Sequence, residues 1–177
     1  MKTRPEDWLA AGFALLRAGG ADELTIERLC ASVARTKGAF YHHYADIPAF
    51  RAALLMFWEK LHTEGPMQAA ESVPLADRRQ ALHRAVAALD QELEVAIRAW
   101  GYRDAVARAA VAVVDERRVA YLKQIWHAEG RPKALAARLA DLEYAAFLGL
   151  LARHGPHNAK LKETYTLLIE ALSSLRW

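Results

Sequence analysis

Between Leu24 and Ala45 the stretch LTIERLCASVARTKGAFYHHYA gathers Arg35, Lys37, Tyr41, His42 and His43, and no Asp or Glu occurs from Ala31 through Ala45. Cations, a phenol and two imidazoles with no acid among them suit a polyanion. The lysine can neutralise a phosphate, the tyrosine hydroxyl can donate to one, and the histidines can reach base edges, with Arg35 a further candidate. Thr36 is placed to N-cap a helix beginning at Lys37, because its hydroxyl can accept from an orphan amide of the first turn. Those amides suit a phosphate oxygen. Gly38 and Ala39 have so little side chain that the backbone can approach a duplex closely. Contacts to phosphate position a protein, and contacts to bases specify the sequence.

These residues need two short helices to present them. Thr25 can cap the first, in which Ile26, Leu29 and Cys30 share one side at spacings of three and four. The apolar rhythm lapses from Ser32 to Arg35. Phe40 and Tyr44, four apart, then give the second helix a buried edge of its own. Helix, short turn, helix is the connection whose second member enters the DNA major groove. Blander roles stand beside these. Thr25 fits a cap alone, Arg35 fits a solvated turn, and His42 with His43 fits a solvated pair. Adjacent helix positions diverge too far for the two histidines to chelate one ion.

At these residues the chain resembles the tetracycline-repressor (TetR) family of bacterial transcriptional regulators. The resemblance runs from Trp8-Leu9 and Ala11 through Thr25-Ile26 and Leu29 to Thr36-Lys37-Gly38-Ala39-Phe40-Tyr41-His42-His43-Tyr44, and it covers about the first sixty residues. It implies that Tyr41 contacts phosphate, that Ala39, His42 and His43 approach the groove, and that Thr25 lies near a phosphate. Three features depart from the family pattern. Ala34 stands where the turn glycine is usual, Arg35 where a small aliphatic residue is usual, and Ala45 and Ile47 where lysines are common.

The chain has 177 residues, 54% of them hydrophobic, with a net charge of +3 and few glycines and prolines. That is enough apolar material for a real core and favours helix. Cys30 is the only cysteine, so neither an intramolecular disulfide nor a cysteine-based zinc site is expected. On the apolar side of its helix it reads as a small buried hydrophobe, with redox sensing as the alternative. MKTRPEDW lacks the apolar core of a signal segment, and the longest apolar run, Tyr144 to Ala152, is far short of a bilayer span. A cytoplasmic protein with no membrane partner is expected.

Thr3-Arg4-Pro5-Glu6 reads as a capping box that starts the first helix, and Gly19-Gly20 ends it. Asp46 caps the next helix, whose Ile47, Phe50, Leu54, Leu55, Phe57, Trp58 and Leu61 exceed what one small core can use. Gly65-Pro66 and Val73-Pro74 bracket an expected break. One long amphipathic helix is expected from Leu75 to about Trp100, interrupted at Gly101. An alanine- and valine-rich helix then runs through Trp126, and Gly130-Arg131-Pro132 starts another. The expectation is an all-α protein of about nine helices. A three-helix helix-turn-helix domain occupies 1–46, and a helical ligand-binding and dimerisation domain occupies 47–177, with helix 47–64 as the link.

The second part shows no phosphate loop, no GxSxG and no HExxH, so neither an enzyme nor a metal or other cofactor is expected. Bulky aromatics accumulate instead: Trp58, Trp100, Tyr102, Trp126, Tyr144 and Phe147. They fit either core packing or an apolar pocket anchored by His83, Arg98 and Arg103 for an anionic or hydrogen-bonding small molecule. Helices 133–153 and 158–175 mix small residues with leucines, as a four-helix dimer interface would. The combined expectation is a homodimeric regulator, a repressor binding a palindromic double-stranded DNA operator and released by a small-molecule effector. A helical ligand-binding or scaffold protein without specific DNA binding is the alternative.

Overall fold

The computed structural model describes residues 4–156 and 158–174, and among these every regular element is helical. The described residues form two compact units. One comprises the chain to His62 together with Glu92–Ala112, and the other comprises Thr63–Gln91 together with the chain from Val113 onward.

The first unit opens with α1 (Pro5–Gly19). The expected cap Thr3 lies outside the described residues. Arg4 holds the cap position, and its backbone N–H donates to the Asp7 carboxylate at 2.8 Å. Gly20 closes α1 with a φ of 83°, a conformation open to glycine without steric cost. The helices α2 (Ile26–Ser32) and α3 (Lys37–Tyr41) follow, and then α4 (Ile47–Glu59), capped by Asp46 accepting from the Ala49 N–H at 2.7 Å. Phe40 is the hub: its ring meets Trp8 edge-on at 5.6 Å and Phe50 at 5.9 Å. A Cβ on Gly12 would lie 2.7 Å from the Phe50 ring, so α1 and α4 approach where only glycine fits.

Two stretches differ from the expected pattern. Gly65-Pro66 does not interrupt the chain. Instead α4 passes through a π turn (Lys60–Glu64) directly into α5 (Gly65–Glu71). Pro66 has no N–H to give to the carbonyl four residues back and its ring would crowd that group, and the wider turn absorbs both. Conversely, the single helix expected over 75–100 is two, α6 (Arg78–Ala87) and α7 (Gln91–Gly101). The Gln91 side chain donates to the Val86 carbonyl at 2.7 Å, satisfying one of the exposed acceptors at the end of α6.

The remaining helices are α8 (Ala105–Ala128), α9 (Lys133–His154) and α10 (Ala159–Ser174). Asp104 accepts from the Ala107 N–H at 2.8 Å at the start of α8, and Gly130, with φ 89°, turns the chain before α9. The second unit is centred on Leu82, Leu122, Trp126, Leu139, Ala140 and Tyr144. The first unit thus takes in α4, α7 and the start of α8 beside the first three helices.

Candidate nucleic-acid interface

The turn between α2 and α3 is built by local hydrogen bonds. Thr25 Oγ1 accepts from Arg28 N at 3.3 Å, and Thr36 Oγ1 accepts from Ala39 N at 3.4 Å, so each helix begins at a threonine. At the end of α2, Ala34 N donates to Ala31 O and Arg35 N reaches back to Cys30 O at 2.9 Å. This paired closure requires a left-handed residue just past the helix, and Ala34 takes it with a φ of 52°. The sharp turn therefore forms around an alanine where the family pattern has glycine.

The burial of one edge of α3 aims the other. Phe40 is fully buried and Tyr44 nearly so, with the Tyr44 hydroxyl donating to Pro5 O at 3.2 Å. Arg35, Thr36, Lys37, Gly38, Tyr41 and His42 are exposed, while Thr25, Ala39 and His43 are half-buried. The His43 ring stands 6.4 Å from Trp8 and 5.1 Å from His42. The structure thus brings every residue expected to meet DNA onto the same short motif. Among the described residues no three metal-ligating side chains gather.

Lys37 has a partner outside the acid-free stretch. Glu27, in the first turn of α2, forms an ion pair with Lys37. The hydrogen bond from Lys37 holds the Glu27 carboxyl below its usual range, and the same bond raises the ammonium. A stretch of sequence free of acids is therefore not a surface free of them. The ten-residue separation follows from the turn geometry, which no local pattern reveals.

The aromatic residues proposed for a pocket divide between the units. In the first unit, Trp58 is fully buried and its indole N–H donates to Glu94 at 3.2 Å. Arg98 Nε donates to the same buried carboxylate at 2.9 Å, and His62 lies 3.8 Å from it. Trp100 is buried, with Arg51 over its ring at 5.9 Å. Tyr102 and Arg103 occupy the turn between α7 and α8, where Tyr102 is 84% exposed and Arg103 is also exposed. The turn carries them outward because Trp100 and Ala107 supply its buried anchors.

In the second unit His83, Trp126 and Phe147 do converge, around a group that sequence did not suggest. The Glu143 side chain, wholly buried, accepts from Arg79 Nη1 at 2.6 Å, Trp126 Nε1 at 2.7 Å and the Tyr165 hydroxyl at 3.1 Å, with His83 Nε2 at 3.0 Å. Burial alone would raise its pKa, but the His83 hydrogen bond and the Arg79 charge outweigh that and hold the carboxyl below its usual range. Burial, then the adjacent Glu143, pushes the Tyr165 hydroxyl far up. Arg79 also forks onto Glu129 at 2.8 and 2.9 Å and stacks 3.8 Å from the Trp126 ring. Phe147 meets the Tyr165 ring at 5.8 Å. Tyr144 turns away from this cluster, donating to Asp115 at 2.6 Å and accepting from Arg118. Beside the cluster, Arg79, Gln80, His83, Glu129 and Arg131 line an open cleft of about 510 Å³.

No family model and no curated protein matches the chain. Among solved structures it is similar to the crystal structure of E. coli NemR in its reduced form, with a TM-score of 0.76 over 95% of this chain and 96% of that one, at 19% sequence identity. That likeness establishes an all-helical fold shared with that structure.

Proposed function

We propose that this protein is a homodimeric transcriptional regulator, a repressor that binds a palindromic DNA operator and leaves it when a small molecule is bound. One observation carries the reading. A threonine-capped helix following a tight turn exposes Thr36, Lys37, Gly38, Tyr41 and His42 on one face, with its aromatic edge buried. In this reading Lys37, Tyr41 and the first amides of α3 hold phosphates, while His42, His43 and Arg35 reach bases. The TetR-like fold supports the same assignment.

A single motif makes few base contacts, and a symmetric pair placing two motifs about one DNA turn, ~34 Å, apart supplies the rest. The exposed Leu142 on α9 and Leu167 on α10 support dimerisation through these helices. The effector would bind the second unit, where the cleft beside Arg79 and His83 has the size and polarity for a small anionic or hydrogen-bonding molecule. The element assigned to carry the change is the helix from Ile47 to Leu61, whose apolar residues exceed what one small core can use. A ligand shifts the equilibrium only by its differential affinity for the two states. Replacing Leu54 or Trp58 should therefore uncouple ligand from DNA more than it weakens either alone.

The protein would act by binding rather than catalysis, in the cytoplasm. Among the described residues no helix is long and apolar enough to cross a membrane. A gel shift with the DNA flanking its own gene tests the proposal, and failure to bind that DNA better than random duplex refutes it. The second reading, a helical ligand-binding or scaffold protein without operator binding, is favoured by the lack of lysines at Ala45 and Ile47.

A further inference from the structure

The Lys37 ammonium is already occupied. Glu27 closes an ion pair with it from α2, and both side chains are exposed, at 60% for Lys37 and 66% for Glu27. The pair is not what shapes the motif. The α2–α3 angle is set by the left-handed turn at Ala34, by the Thr36 cap and by burial of Leu29 and Phe40. Glu27 therefore acts chemically, as a carboxylate already paired with the lysine that the proposed reading gives to phosphate.

We propose that Glu27 restrains DNA binding by competing with phosphate for Lys37, lowering affinity for all sequences alike. The inference rests on the reading that the α3 face meets DNA. When a duplex arrives, Lys37 either stays paired and presents no net charge, or leaves and strands a carboxylate facing phosphates. Both cost affinity. Because phosphates carry no base information, the cost is the same on operator and random duplex, and discrimination stays with the residues that reach bases. The locally neutral pair also displaces fewer counterions than a free lysine, which flattens the salt dependence.

The test is a fluorescence-anisotropy titration of the full chain against a labelled duplex flanking its own gene and a random duplex of equal length, across a salt series. Wild type, Glu27→Gln, Lys37→Ala and the double variant are compared. Glu27→Gln is expected to tighten binding to both duplexes about threefold to fivefold. It should also steepen the slope of log affinity against log salt by about 0.9. Lys37→Ala should cost more in the Glu27→Gln background than in wild type. Unchanged or weakened binding by Glu27→Gln, with wild type still binding, overturns the restraint and leaves the DNA-binding reading standing. A lowered melting midpoint for Glu27→Gln, with weaker DNA binding, overturns it too by making the pair structural. If neither wild type nor Glu27→Gln binds either duplex at low salt, the regulator reading falls and takes the restraint with it.

Discussion

The Trp126 indole N–H donates to the Glu143 carboxylate at 2.7 Å, at a point with no solvent access. Arg79 from α6 and Tyr165 from α10 meet the same carboxylate, so a single buried charge ties four helices of the second unit together. Removing the carboxylate leaves the buried Trp126 indole and the Tyr165 hydroxyl without their acceptor and Arg79 with Glu129 alone. Glu143→Ala is expected to destabilise the protein by about 3–5 kcal/mol, and Tyr165→Phe, which drops one hydrogen bond to a charge, by about 1.5–3 kcal/mol. Denaturant unfolding of both variants checks the order. Equal, small losses would mean that the network contributes little.

The same carboxylate predicts an acid response. Its folded pKa lies below the ordinary 4.5, so the unfolded chain takes up the proton first as pH falls. The stabilisation is complete above about pH 4.5 and drains away as pH drops through the folded value. Unfolding midpoints between pH 7 and 3 should fall below 4.5 in wild type, and this component should be missing in Glu143→Gln. A parallel fall in both chains would assign the acid loss to other groups.

Ala34 holds a left-handed conformation that costs a non-glycine residue about 1–2 kcal/mol. Glycine removes that strain but gives up about 0.5–1 kcal/mol of backbone entropy. Ala34→Gly should therefore stabilise the chain slightly, raising the melting midpoint by ~2 °C in a protein of this size. A lowered midpoint would show that the Ala34 methyl makes contacts worth more than the strain.

What could be read in advance was local. Thr25, Thr36 and Asp46 cap their helices because a side chain reaches an amide only three residues on, a relation contained in the sequence itself. Phe40 and Tyr44 were legible as a buried edge for the same reason. Glu143 was not, because it stands in an alanine-rich helix with Arg79 and His83 64 and 60 residues away. Gly65-Pro66 misled because a π turn can absorb a proline, and the stripe from Leu82 to Ile97 hid a break made by the Gln91 side chain. The exposure of Tyr102 and Arg103 was not legible either, because residue type does not say which way a turn faces.

Lys37 and His43 are assigned different work on DNA, and the difference is measurable. Lys37→Ala should weaken operator and random duplex by the same factor. His43→Ala should weaken the operator by up to about 1–3 kcal/mol and leave random duplex nearly untouched. Equal losses on both duplexes for both variants would contradict the division of roles.

The account depends most on two copies of the α3 face reading one duplex. The direct measurement is the mass and salt dependence of the complex between the full chain and the DNA flanking its own gene, by light scattering and titration. The account predicts chains bound in pairs, a clear preference over random duplex, and affinity that falls steeply with salt. A strictly monomeric chain that binds both duplexes alike would contradict it.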